Sequence, residues 1–193
     1  MAHIRLIVGL GNIGSQYQGT RHNAGEWFLT SLSTQLNAPL KLQPKFHGYI
    51  GAGIIQGQKV LLLYPATYMN KSGLAVAAVS RFYKIAADEI LIAHDELDLP
   101  SGAIRLKKSG GHGGHNGLRD IEKALGSRNF YRLRIGISHP QDREKVLGYV
   151  LGKPAVDDKI TIDSAIERAI SYIDDIVALE HEKVMNQLHC KAE

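Results

Sequence analysis

The chain has one cysteine, Cys190, fourth from its end. A lone thiol closes no internal disulfide, so a reducing, cytoplasmic setting is expected. No run approaches the roughly 18 apolar residues of a membrane span. The short apolar start lacks a cationic lead and a small-residue cleavage site, so neither a membrane partner nor a secretory leader is expected. No GK[ST] follows a glycine-rich turn, which excludes a Walker-type phosphate loop. Repeats, low-complexity tracts and linker-like stretches are absent too, and 193 residues suit one domain spanning 1–193. Acids are missing from Trp27 to Ala87, while Lys41, Lys45, Lys59, Lys71, Arg81 and Lys84 fall there.

What is present is an ordinary globular composition, 44% hydrophobic and 22% charged. The net charge of +4 hides an asymmetry: residues 1–156 balance at +9 and residues 157–193 at −5. A basic body with an acidic tail suits a polyanionic partner; a solvated surface with an Asp/Glu-rich helix would read the same way.

Ile4–Gly9 and "EILIAHD" read as buried strands, and "YIGAGIIQGQKVLLLY" as a hairpin turning at Gln56–Gln58. Helices are predicted over "NAGEWFLTSLSTQL", with Asn23 as N-cap and Glu26 as its return partner, over "SGLAVAAVSRFYKI" and over "NGLRDIEKAL". "AIRLKK" and "RLRIGI" alternate like strands. From Asp157, apolar residues through Val177 mark a long C-terminal amphipathic helix. The interleaving predicts a single α/β domain, a mixed β-sheet flanked by helices.

Gly9-x-Gly11-x-x-Gly14 has the spacing of a dinucleotide fingerprint. Its context is wrong for a nicotinamide site: "SQYQGTRHN" follows instead of a helix, and no acid closes a second strand. No cofactor is expected.

Polar clusters instead gather at turns: Asn12, Tyr17, Arg21, His22 and Asn23; then Tyr68, Met69 and Asn70; then His112, His115 and Asn116; with "HDELD" between the last two. In open α/β sheets such loops converge outside the carboxyl ends of strands. His22, beside a predicted helix N-terminus, should stay neutral and able to accept a proton; Asp95 is the natural group to hold its other nitrogen. A capping or surface histidine, and a turn or helix-capping acid, would also fit those positions. Asn12, Asn70 and Asn116 could orient a carbonyl, ester or ribose hydroxyl, or simply cap turns. His112-x-x-His115 lacks a cysteine or a helical HExxH frame, so no metal is expected. Alternation pairs Arg105 with Lys107 and Arg132 with Arg134; Lys108, Arg119, Lys123 and Arg128 extend a cationic strip suited to phosphates.

Taken together, "VGLGNIG", "TRHNAG", "PATYMNKSG", "HDELDLPSG", "GGHGGHNGLRDI" and "RLRIGISHP", in that order over roughly residues 6–152, resemble the bacterial peptidyl-tRNA hydrolase family. The resemblance implies a monomeric α/β hydrolase without metal or cofactor. Such an enzyme cleaves the ester between a peptide and the 3′-terminal ribose of tRNA, recycling tRNA for translation. It implies His22 as the group activating water, Asp95 as its partner, and Asn12 as the residue separating N-acylated from free aminoacyl substrates. Tyr17, Tyr68, Asn70 and Asn116 would line the cleft, with Met69 and His115 close by. Lys107 and Arg134 would engage the tRNA 5′-phosphate, and Arg143 stands where the family usually has Lys. Ile13 stands where it usually has Pro, which is expected to loosen the loop carrying Asn12. A nicotinamide-binding protein and a non-catalytic tRNA-binding module are the competing readings.

Overall fold

The computed structural model describes residues 2–189; Cys190 lies outside them. Strands β1 (Leu6–Gly9), β2 (Lys41–Gln43), β3 (Gly48–Ile55), β4 (Gln58–Pro65), β5 (Ile90–Glu96), β6 (Ile104–Lys108) and β7 (Tyr131–Gly136) form one sheet, ordered β2-β3-β4-β1-β5-β7-β6. Strands β4, β1, β5 and β7 are mutually parallel; β3 and β6 run the other way, and β2, antiparallel to β3, runs with the four. Helices are α1 (Ala24–Gln35), α2 (Ser72–Tyr83), α3 (Asn116–Leu125), α4 (Val146–Val150), α5 (Val156–Ser171), α6 (Ile173–Val177) and α7 (His181–Leu188).

Residue alternation divides the core between the two sheet faces. Ile7, Leu91, Ala93, Leu133 and Ile135 pack with α1 and α5. Leu6, Val8, Ile90 and Ile92 pack with α2 and α3. α1 lies almost on the backbone of the sheet. A Cβ at Gly25 would collide with the Ala93 carbonyl, and one at Gly9 with the Gly25 carbonyl. The first glycine of the fingerprint therefore lets a helix approach a strand.

Gln56 and Gly57 both have positive φ (49° and 74°), the two-residue turn that matches strand twist in the predicted hairpin. Three features depart from expectation. β2 arises between Pro39 and Pro44 as a short edge strand, where proline is tolerated. The apolar stripe does continue to Val177, but the helix breaks at Tyr172 (φ −104°, ψ 14°) and resumes as α6. Asn23 precedes α1 without capping it. No described helix is long and apolar enough to cross a membrane.

Candidate active site

The carboxyl ends of β1, β4, β5 and β7 share one sheet edge, and β1 is the point where the chain switches from building one flank to the other. The loops carrying Asn12, His22 and Tyr68–Asn70 gather there, with Asp95 at the end of β5. His22 sits in the tight turn Arg21–Asn23 just before α1. Arg21 Nη1 donates to the Tyr149 carbonyl (2.9 Å), and its guanidinium lies 3.9 Å from the centre of the Tyr149 ring. Asn23 does not serve as the predicted cap. Its Oδ1 accepts from Asn12 N (2.9 Å) and its Nδ2 donates to Asn12 O (3.0 Å). The histidine turn is thus fixed from both sides.

Asp95, 3% exposed, gives one carboxylate oxygen to each of two imidazoles: Oδ2 lies 2.8 Å from His22 Nδ1 and Oδ1 lies 2.7 Å from His115 Nε2. His115 caps α3, its Nδ1 accepting from Leu118 N at 3.3 Å. An Nδ1 that accepts leaves the proton on Nε2, so His115 donates to Asp95. His22 donates through Nδ1, and its Nε2 is left to accept a proton. Burial alone would raise the Asp95 pKa; the two imidazoles, by charge and hydrogen bond, hold it well below the usual carboxylate range. Burial would lower His22, yet the Asp95 charge and hydrogen bond carry its pKa above 6.5. The helix terminus is thus not the dominant influence on the ring: a carboxylate at 2.8 Å favours the protonated form more than a partial backbone charge opposes it.

A cleft of about 680 Å³ opens beside this group. His22, Asp95, His115, Asn116, Lys107, Arg134 and Arg143 line it, with Leu97, Val146, Leu147 and Val150 forming an apolar side. Asn12, Tyr17, Tyr68, Met69 and Asn70 are not in its wall. Asn12 is 7% exposed, and its Oδ1 accepts from Met69 N (2.6 Å). Met69 is a core side chain rather than a cleft residue, in contact with the Ser72 hydroxyl and the α3 backbone at Gly117. Tyr68 is exposed and meets Tyr17 edge-on at 6.2 Å. Asn70 is exposed in the turn Met69–Lys71. His115, with both nitrogens engaged, supports Asp95 instead of offering a free nitrogen to substrate.

The peptidyl-tRNA hydrolase family model matches residues 6–193. Peptidyl-tRNA hydrolase of Francisella tularensis subsp. novicida is 52% identical over 191 residues, covering 99% of this chain and 100% of that protein. The Coxiella burnetii enzyme is 54% identical over 186 residues, covering 96% and 97%. The crystal structure of peptidyl-tRNA hydrolase from Acinetobacter baumannii superposes with a TM-score of 0.95 at 53% identity, covering 98% of this chain and 96% of that one. The chain belongs to the peptidyl-tRNA hydrolase family.

Ile13, which stands where the resemblance implies Pro, gives the Asn12 loop a tie of its own. Its N–H donates to the Thr67 carbonyl at 3.2 Å, a bond that proline cannot make.

Four residues of the site were missed or misread from sequence. His94, fully buried, donates through Nδ1 to the Asp95 carbonyl (2.8 Å), and burial followed by the His115 charge pushes its pKa down to about 3. Leu147, 69% exposed, gives the cleft an apolar rim. Glu96 pairs with Arg134. Arg132, assigned to the cationic strip, is 2% exposed: Nη1 donates to Gly111 O (2.8 Å), Nη2 to Gly110 O (2.5 Å), and Nη2 lies 3.4 Å from Glu122.

Because β6 is antiparallel to β7, its last residue, Lys108, lies beside Tyr131, at the sheet edge opposite the site. The loop to α3 has to run back to bring His115 to Asp95, and Arg132 holds it on the way. Arg132→Met should therefore destabilise the protein by about 3 kcal/mol in urea denaturation, since two part-buried carbonyls and the largely buried Glu122 carboxylate lose their donor. A loss below about 1 kcal/mol would show that the clamp is dispensable.

Proposed function

We propose that this chain cleaves the ester joining the peptide to the tRNA 3′-terminal ribose, using water activated by His22. Membership of the family supports the reaction. The observation that carries the mechanism is the Asp95 carboxylate shared between His22 Nδ1 and His115 Nε2. With Nδ1–H committed, Nε2 takes a proton from water as it attacks the ester carbonyl, and later returns it to the ribose oxygen. Asp95 stays ionised and stabilises the imidazolium formed between those steps.

The cleft suits the two halves of the substrate. Its apolar side, Leu97, Val146, Leu147 and Val150, receives the peptide; Lys107, Arg134 and Arg143 face phosphates, the first two the 5′-phosphate. Asn116, in the cleft wall, positions the linkage; Asn12, Tyr17, Tyr68 and Asn70, outside that wall, are assigned to substrate through family membership, and Met69 holds Asn12 through its backbone N–H. The whole chain works as one domain, a monomer in the cytoplasm, without metal or cofactor.

Hydrolysis of N-acyl-aminoacyl-tRNA, with free aminoacyl-tRNA assayed beside it, tests the activity: the blocked substrate should turn over and the free one should not. Binding of tRNA without turnover would leave a binding module instead. Affinity for tRNA should fall steeply with salt, and less steeply in Arg134→Ala. An unchanged slope would remove Arg134 from the contacts.

A further inference from the structure

Side chains two apart on a strand share a face, and the register sets His94 beside Arg134, Arg105 opposite Arg134, and Lys107 opposite Arg132. The α3 side of β6 and β7 therefore carries four cations: Arg105, Lys107, Arg132 and Arg134. Arg132 is spent on Gly110, Gly111 and Glu122. Arg134 is held differently. Its Nε donates to Glu96 Oε1 at 2.8 Å, and the two side chains are 23% and 19% exposed. Both line the cleft, with Lys107 in the same wall. Glu96, two residues beyond His94 on β5, thus places a carboxylate against the guanidinium that faces the phosphate end of the cleft.

We propose that Glu96 is a specificity-determining residue, a built-in anionic competitor that sets how tightly Arg134 holds a terminal phosphate. This rests on the reading of Arg134 as a phosphate contact given above. A terminal phosphate carries a charge of about −1.5 to −2 at pH 7 and offers three strong acceptor oxygens. To reach Arg134 it either displaces Glu96 or sits beside it. In both cases one negative charge works against the incoming anion, and the opposition grows with the ligand's charge. Glu96 thereby limits the affinity of substrate and of product tRNA, which carry the same 5′ end, and keeps the product releasable.

Glu96→Gln tests this cleanly, because a glutamine oxygen still accepts from Arg134 Nε while the charge is gone. The probe is deacylated tRNA, with its 5′-phosphate intact or enzymatically removed. Glu96→Gln should bind the 5′-phosphorylated form about fivefold more tightly, and the 5′-hydroxyl form by less than about twofold. In an Arg134→Ala background the same substitution should change neither, closing a double-mutant cycle on the pair. Weaker or unchanged binding of phosphorylated tRNA by Glu96→Gln would overturn the proposal, and so would an equal gain for both forms. If Arg134→Ala alone leaves the difference between the two tRNAs intact, the phosphate contact itself fails, an outcome separate from a failure of Glu96.

Discussion

His22→Ala is expected to slow cleavage of N-acyl-aminoacyl-tRNA by about 10²–10⁴-fold while tRNA affinity stays within about twofold of the parent. The separation follows from the layout of the cleft. His22 lies at the Asp95 end, while the cations proposed to face phosphate, Lys107, Arg134 and Arg143, stand on other elements. The side chain removed hydrogen-bonds to Asp95, and the turn that carries it is held independently through Arg21 and Asn23. The fold should therefore survive, as thermal denaturation would report. Undiminished single-turnover cleavage would exclude His22 as the base.

Asp95→Asn is expected to be as damaging, on the order of 10³–10⁴-fold in kcat, through the tautomer it imposes. A carboxylate accepts from both imidazoles at once, at 2.8 and 2.7 Å. A carboxamide accepts on one side and donates on the other. His115 keeps its proton on Nε2 as long as its Nδ1 caps α3, so the amide oxygen is drawn to His115. The amide NH₂ then faces His22 Nδ1, which has to accept, and the proton moves to Nε2 where the base should be. The opposite rotamer frees His22 at the expense of the α3 cap, worth about 1 kcal/mol. His115 thus biases the variant toward its inactive form. A rate within tenfold of the parent would refute this account of the shared carboxylate.

The elements were largely legible from period and punctuation, because β1, β5, α2 and α3 each carry one clear pattern between turn residues. The meeting of His22 with Asp95 was legible too, since parallel strands put their following loops at one edge. The path after β6 was not. Alternation tells which residues share a face but not the direction of the strand or what covers it. Arg132 therefore read as a surface cation although the returning glycine loop buries it. Asn23 illustrates a second limit: the chemistry that caps a helix also bonds a distant backbone, and only the fold brings Asn12 within reach. Glu96 stood inside a motif singled out for its neighbour, and its pairing with Arg134 depends on the β5–β7 register.

The measurement that bears most directly on the shared Asp95 carboxylate is the acid limb of kcat/KM against pH, which reports ionisations of the free enzyme. The base works only when His22 is neutral. Asp95 stabilises its protonated form, so activity should rise with pH through a midpoint above the ordinary 6.5. In Asp95→Asn the opposing effect of burial is left alone, and the midpoint of the residual activity should drop below that value. A parent midpoint at or below 6.5, or a midpoint that Asp95→Asn leaves in place, would contradict the assignment of His22 as a base held by Asp95.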